Sequence, residues 1–359
     1  MNKTEIKLVN GDNAIIIDTE KVKALKSENY NFVFNKKDGY FARWGKTVKD
    51  DGDPSIGLPE IADIEIDTSC KQNCPFCYKA NNPDGKYMTL ETYKKVFSKL
   101  PVSITQVAFG ITDIDSNPDM WDIFDYTRSK SVIPNVTING SRMTPESFDK
   151  LVDKMGAVAV SVGTGYNKNN SYNAIKELSD RGMNQVNIHN MICLENFDYT
   201  IQVIKDCKID DRLKNLNALV FLSLKTKGRA ENGFTPLPQD KFNELCKFAL
   251  DENISIGFDS CGSHKFISYL DNDQSISFES KNEMKQSVEM CESSCYSSYI
   301  DVDGFYFPCS FTPGTKNWKE GLNVLKCDNF IDDIWNNEKT VNFRNKLIGC
   351  GRDCPLYKI

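Results

Sequence analysis

A chain of 359 residues, 40% of them hydrophobic, can bury a substantial core and is long enough for one large domain and a smaller one. Fifty acidic and 44 basic residues give a net charge of −6 without long single-sign blocks, which argues against nucleic acid as a partner. No apolar run approaches the roughly 20 residues of a membrane helix, the polar start MNKTEIKLVNGDN is not a secretion signal, and thirteen cysteines without one point to metal ligation under reducing conditions, so the expectation is a cytoplasmic protein with no membrane partner.

In chain order, residues 1–60 read as a β-rich N-terminal extension, with NAIIID and YNFVFNKKDGYFARWG as strands and a hairpin through Lys37, Asp38 and Gly39. Residues 51–59, rich in Asp, Gly and Pro, read as a linker. Over 61–260, the β-rich runs IADIEID, TQVAFG, NVTIN, AVAVSV, QVNIHNMI, NALVFLSL and SIGFDS alternate with amphipathic helical stretches such as TLETYKKVFSKL and TPESFDKLVDKM. In the latter, Thr144 before Pro145 and Glu146 is a helix start. Such alternation predicts βα units around a parallel sheet, and strand count alone leaves an open sheet and a barrel equally available. After 260 the rhythm stops, and residues 261–359 read as a small α+β domain holding seven of the thirteen cysteines.

Directly after IADIEID stands DTSCKQNCPFCYK, with Cys70, Cys74 and Cys77 spaced C-x3-C-x2-C. Thiolate is the ligand that iron–sulfur clusters require, and a cubane is usually held by four. Three close cysteines without a fourth leave one iron open to bind and activate a small molecule. Half of a zinc site is the alternative, but the only histidines, His189 and His264, are distant in sequence. The triplet resembles the motif of the radical S-adenosylmethionine (radical SAM) enzymes. That resemblance implies a partial (β/α)6 TIM-like barrel, a [4Fe–4S] cluster on Cys70, Cys74 and Cys77, and S-adenosylmethionine bound to the open iron through its amino and carboxylate groups. Reductive cleavage would then give a 5′-deoxyadenosyl radical that takes hydrogen from substrate, with an external donor such as flavodoxin or ferredoxin supplying the electron. The backbone around Phe76 and Tyr78 would lie near the adenine.

Active sites of parallel α/β folds lie at the carboxyl ends of the strands. The second strand ends at Gly110, where the family usually carries Gly-Gly-Glu; here the text is FGITDIDSNPD, with Asp113 or Asp115 as stand-ins for the acid and an ordinary acidic loop as the alternative. Asn139 in TINGSRMT resembles the Asn of related enzymes and is a candidate for a polar contact near ribose or substrate, although Asn-Gly also favours a turn. Ser161 closes the fourth strand. Alternation puts His189 on one face of the fifth with Asn187 and Met191, and Asn190 on the other. Lys225, Lys227 and Arg229 follow the sixth strand and could meet a carboxylate or phosphate. Asp259 and Cys261 close the last strand, as candidate general base and as hydrogen-atom donor or cluster ligand.

A second group lies in CESSCYSSYIDVDGFYFPCSF, where 299–307 alternates around Asp303-Gly304 as a hairpin and brings Cys291 and Cys309 to one side. Twelve residues separate Cys291 from Gly304 and four more separate Gly304 from Cys309, resembling the auxiliary-cluster pattern of SPASM and Twitch extensions. Cys327 precedes the helix-like DNFIDDIW, and Cys350 and Cys354 stand in GCGRDCPLYKI. One auxiliary [4Fe–4S] cluster is expected, on Cys291, Cys309, Cys327 and Cys354, with Cys295 and Cys350 as substitutes. By resemblance the substrate is a peptide or protein side chain, with a small nucleotide, sugar or amino-acid derivative as the alternative. A non-catalytic protein whose cysteines only staple the fold is the competing class.

Overall fold

Ahead of the linker, the alternating pattern produces a five-stranded antiparallel meander, larger than the expected hairpin: β1 Asn2–Lys7, β2 Asn13–Asp18, β3 Val22–Lys26, β4 Asn31–Asn35 and β5 Phe41–Trp44. The hairpin is its last pair, with Phe34 opposite Phe41 and Gly39 at φ +77° in the turn. The computed structural model describes residues 2–357. Ala14, Ile16, Leu25 and Phe32 face the core, and the buried Lys23 ammonium donates to the Ile104 carbonyl at 2.7 Å, fastening the meander to the barrel.

The linker has no regular structure, yet Ile56 and Leu58 are buried and Trp335 Nε1 donates to the Gly57 carbonyl at 3.0 Å. Above it, the Arg43 guanidinium makes a two-pronged bond to Glu60, Nε to Oε1 at 3.0 Å and Nη2 to Oε2 at 2.8 Å. It also reaches Glu292 at 2.6 Å and lies 3.5 Å from the centre of the Tyr296 ring. One buried cation thus ties the meander, the entry to the barrel and the cysteine-rich segment together.

Six βα units follow: β6 Ile61–Glu65 with α1 Leu90–Lys99, β7 Gln106–Gly110 with α2 Met120–Ser129, β8 Ile133–Ile138 with α3 Pro145–Lys154, β9 Val158–Ser161 with α4 Lys168–Asp180, β10 Val186–Ile192 with α5 Phe197–Ile209, and β11 Ala218–Ser223 with α6 Gln239–Asp251. A seventh strand, β12 Ile256–Phe258, leads into α7 Ser263–Asn272 and α8 Phe278–Gln286. Local chemistry explains the boundaries. Thr144 caps α3 in a reciprocal box with Ser147 and Pro145 opens its first turn, while the Thr89 hydroxyl accepts the Thr92 N–H at the start of α1. In β10, Val186, Ile188, Asn190 and Ile192 are buried on one face, Asn190 bonding Thr200 of α5, while Asn187, His189 and Met191 turn the other way.

The sheet continues beyond the barrel. β13 Ser297–Ile300 joins β6 in parallel, Tyr299 opposite Asp63, and β14 Phe305–Phe307 and β15 Leu322–Asn323 add on antiparallel. The strand order is β12-β11-β10-β9-β8-β7-β6-β13-β14-β15, so β12 and β15 remain edges and the barrel is partial. The DNFIDDIW segment forms a single π-helical turn, Ile331–Trp335, before α9 Glu338–Gly349. Among the described residues no helix is long and apolar enough to cross a membrane.

Candidate functional site

The loop from β6 to α1 carries the cysteine triplet. Cys70 N–H bonds the Asn82 carbonyl at 2.9 Å, Cys77 N–H the Cys74 carbonyl at 3.2 Å and Ala80 N–H the Cys77 carbonyl at 3.1 Å. Asn73 and Ala80 sit at φ +49° and +52°, left-handed conformations that cost about 1–3 kcal/mol each and persist only where the surroundings impose them. All three thiols are unpaired and open into one cavity of about 450 Å³ at the carboxyl ends of the strands. Burial is the main cause that raises the Cys70 and Cys74 thiol pKa values, and the neighbouring triplet thiols add to it. Among the described residues no three His, Cys, Asp or Glu side chains stand close enough to hold a single metal ion. Three cysteines on one cavity are the donor set that an iron–sulfur cluster requires.

Phe76, Tyr78, Gly110, Asn139, Ser161, His189 and Asp259 line the same cavity. Their hydrogen bonds differentiate them. Asn139 is spent on the loops: its amide donates to the Thr112 carbonyl at 3.0 Å and Asp113 Oδ1 at 2.7 Å, and its oxygen accepts the Ser141 N–H at 2.8 Å. Asp113 is buried behind the wall, bonded to Asn139, Gln72 and Arg142, and Asp115 is exposed beside Arg142; the cavity surface there belongs to Gly110, Ile111 and Thr112. Asp259, the candidate base, is held by its neighbours. Its oxygens accept from the Ser223 N–H at 3.1 Å, the Ser223 hydroxyl at 3.0 Å and the Gly262 N–H at 3.1 Å, and pair with the Lys225 ammonium.

Burial pushes His189 down to about 4, against the opposing field of Asp259, so the ring is neutral at pH 7 with Nδ1 3.2 Å from the Thr137 hydroxyl. A histidine held neutral contributes stability that is complete above its unfolded value of about 6.5 and is lost as pH falls toward 4. His189→Gln is therefore expected to flatten the pH dependence of the unfolding free energy between those limits; an unchanged slope in urea titrations would contradict the burial argument.

Two loops clamp the triplet. After β9, Cys74 Sγ meets the Gly165 carbonyl at 3.8 Å, Tyr166 sits over Phe76 with ring centres 5.8 Å apart, and the Tyr166 hydroxyl faces Cys74. After β11, Arg229 N–H bonds the Cys77 carbonyl at 3.0 Å, and Gly228 lies so close that a Cβ would stand 2.4 Å from the Tyr78 carbonyl oxygen. Gly228 also has φ +62°, which costs an L-residue about 1–2 kcal/mol before any clash. Gly228→Ala should displace the triplet loop and reduce iron loading there, read as lost iron per chain on reconstitution. Sequence reasoning passed over Tyr166 and a buried trio opposite: Lys79 Nζ 3.0 Å from Glu65, Tyr299 hydroxyl donating to Glu65 at 2.9 Å, and Lys79 bonded to Tyr299. An acid at an inward position of IADIEID was the available signal. Phe311 packs at a tilt against Tyr78, ring centres 4.3 Å apart, and lines the cavity beside the Lys225 ammonium.

Residues 64–208, spanning the triplet and most of the strands that line the cavity, match the sequence model of the radical SAM superfamily. They form a radical SAM domain. Such a domain works as an enzyme with a [4Fe–4S] cluster and S-adenosylmethionine, the pair that the triplet and its cavity suit. The fold is shared with SuiB of Streptococcus suis bound to the precursor peptide SuiA (TM-score 0.69, 12% identity, 92% of this chain and 90% of that one). SuiB bound to S-adenosylmethionine gives 0.63 at 14% identity, covering 81% and 69%. The structure of native anSMEcpe with bound AdoMet and the Cp18Cys peptide gives 0.57 at 12% identity, covering 79% and 82%. No curated protein matches the sequence.

Beside the radical SAM domain a second thiol group assembles. Half-buried Cys261 feels the charges of Cys291 and Cys354, Cys291 those of Cys309 and Cys354, and Cys354 that of Cys309; burial is the leading cause in each case and takes Cys291 to about 11. Cys327, expected as a ligand, stands apart. Its segment is pinned to the hairpin tip by Val324 N–H on the Gly304 carbonyl at 3.0 Å, its sulfur meets the Val324 carbonyl, and the charges around it are Lys99, Asp333 and Asp328. Cys350 is exposed against the Leu347 and Asp353 carbonyls, and Cys295 lies between Arg352, Arg344 and Cys291.

Proposed function

We propose that this radical SAM enzyme removes hydrogen from a peptide or protein side chain, with Cys70, Cys74 and Cys77 holding the site cluster and Cys261, Cys291, Cys309 and Cys354 holding one auxiliary [4Fe–4S] cluster. The observation that carries it is the single cavity into which the triplet opens on one side, while Lys225 and Asp259, the neighbours of Cys261, close the other. When bound and reduced, the site cluster supplies the electron that turns S-adenosylmethionine into a hydrogen-abstracting radical source.

The protein's own groups do the rest. Phe311 and Tyr78 exclude water from the mouth, neutral His189 and Thr137 offer hydrogen bonds without charge, and Lys79 with Glu65 presents a fixed dipole to whatever enters. Peptide is favoured over a nucleotide, sugar or amino-acid derivative because SuiB and anSMEcpe, of the same fold, bind peptides. The electron would come from a flavodoxin or ferredoxin in the cytoplasm.

Two measurements test this. Cys261→Ala should lose about four irons per chain, one cubane's worth, and Cys327→Ala none; the reverse would return Cys327 to the ligand set. Substrate class is read from deuterium: 5′-deoxyadenosine formed with a deuterated peptide should carry the label, and label arriving only from small metabolites would reject the peptide.

A further inference from the structure

Arg229 makes more contacts to the triplet loop than its place after β11 requires. Its backbone N–H bonds the Cys77 carbonyl at 3.0 Å, Nε the Cys74 carbonyl at 2.8 Å and Nη1 the Asn81 carbonyl at 3.0 Å. The remaining nitrogen, Nη2, is buried and has no acceptor among the described residues. A charged N–H shut away from water without a partner is among the most unfavourable groups a folded chain can keep. Arg229 is among the residues that line the cavity shared by Cys70, Cys74 and Cys77.

We infer that Arg229 is a positioning residue for the triplet-held cluster, fixing the loop through two carbonyls and directing Nη2 at a cluster sulfur. The inference rests on the reading that Cys70, Cys74 and Cys77 hold a [4Fe–4S] cluster. Its physical consequence concerns potential: a cation donating an N–H to sulfur stabilises the reduced, more anionic cluster and raises its reduction potential. Lysine would keep the charge but cannot span the Cys74 and Asn81 carbonyls at once, since its donors radiate from one atom.

The test is an anaerobic redox titration followed by electron paramagnetic resonance, on wild type, Arg229→Gln and Arg229→Lys, with and without S-adenosylmethionine. The site-cluster signal is the part that a Cys70, Cys74 and Cys77 triple alanine variant lacks. Potential is intensive, so it is read on whatever fraction of a variant loads iron. Arg229→Gln should shift the midpoint to more negative values in protein free of S-adenosylmethionine, and Arg229→Lys should shift it less. An unmoved potential in both variants overturns the inference. A shift seen only with S-adenosylmethionine present also overturns it and assigns Nη2 to that molecule's carboxylate. If wild type shows no triplet-dependent signal at all, the cluster reading itself fails and Arg229 falls with it, a result distinct from an unmoved potential.

Discussion

Replacing Cys74 with alanine is expected to bring 5′-deoxyadenosine formation from S-adenosylmethionine and dithionite down to background and to remove about four irons per chain. Cys74 is the most enclosed of the triplet: its sulfur lies against Gly165 and Tyr166, and its carbonyl is held by Arg229. Two cysteines cannot hold a cubane whose fourth iron must stay open, so the loss should be nearly complete where a merely structural thiol would cost little. Cys246, buried in α6 with burial alone raising its thiol, is the control. Its replacement by alanine should leave product formation intact. Equal activity in Cys74→Ala and wild type would exclude the triplet as the cluster site.

Arg43→Met should destabilise the protein by about 3–5 kcal/mol, the loss typical when one partner of a buried ion pair is removed. The magnitude follows from what remains behind. Glu60 is fully buried, and burial already lifts it to about 7 even with Arg43 beside it; Glu292 is nearly as enclosed. Without the guanidinium, two carboxylates and the Tyr30 hydroxyl share a pocket with no cation bonded to Glu60. The urea midpoint should fall sharply, and adding Glu60→Gln to Arg43→Met should restore part of the loss because the orphaned charge is removed. A double variant no more stable than Arg43→Met would show that packing against Tyr296, not charge, carries the effect.

The barrel was legible because its strands and helices carry their own signals. Each of the seven runs from IADIEID to SIGFDS became a strand, since short β-branched segments between amphipathic helices have few other ways to bury both faces. The hairpin around Gly304, which adopts φ +80°, was equally local. The meander was only half read because β1 and β3 are Lys-rich and take their order from pairing with β2, which no local pattern announces. The place of Cys327 was harder to read, for a related reason. Cys327 follows the hairpin closely in sequence, but the antiparallel return of β15 carries it to the tip, whereas Cys291 precedes β13, which pairs with β6. Asp259 and Asn139 line the cavity, and their polar atoms are taken by Ser223, Lys225, Thr112 and Asp113, groups distant enough in sequence that only the folded strand ends bring them together.

Whether the triplet holds a cluster with one open iron can be measured directly. Reduced, reconstituted protein frozen with S-adenosylmethionine carrying ¹⁵N at its amino group should show a hyperfine coupling between that nitrogen and the cluster in electron–nuclear double resonance, and the coupling should vanish in the Cys74→Ala variant. A cluster signal with no such coupling would mean that all its irons are already ligated, and the site would be a closed, structural one.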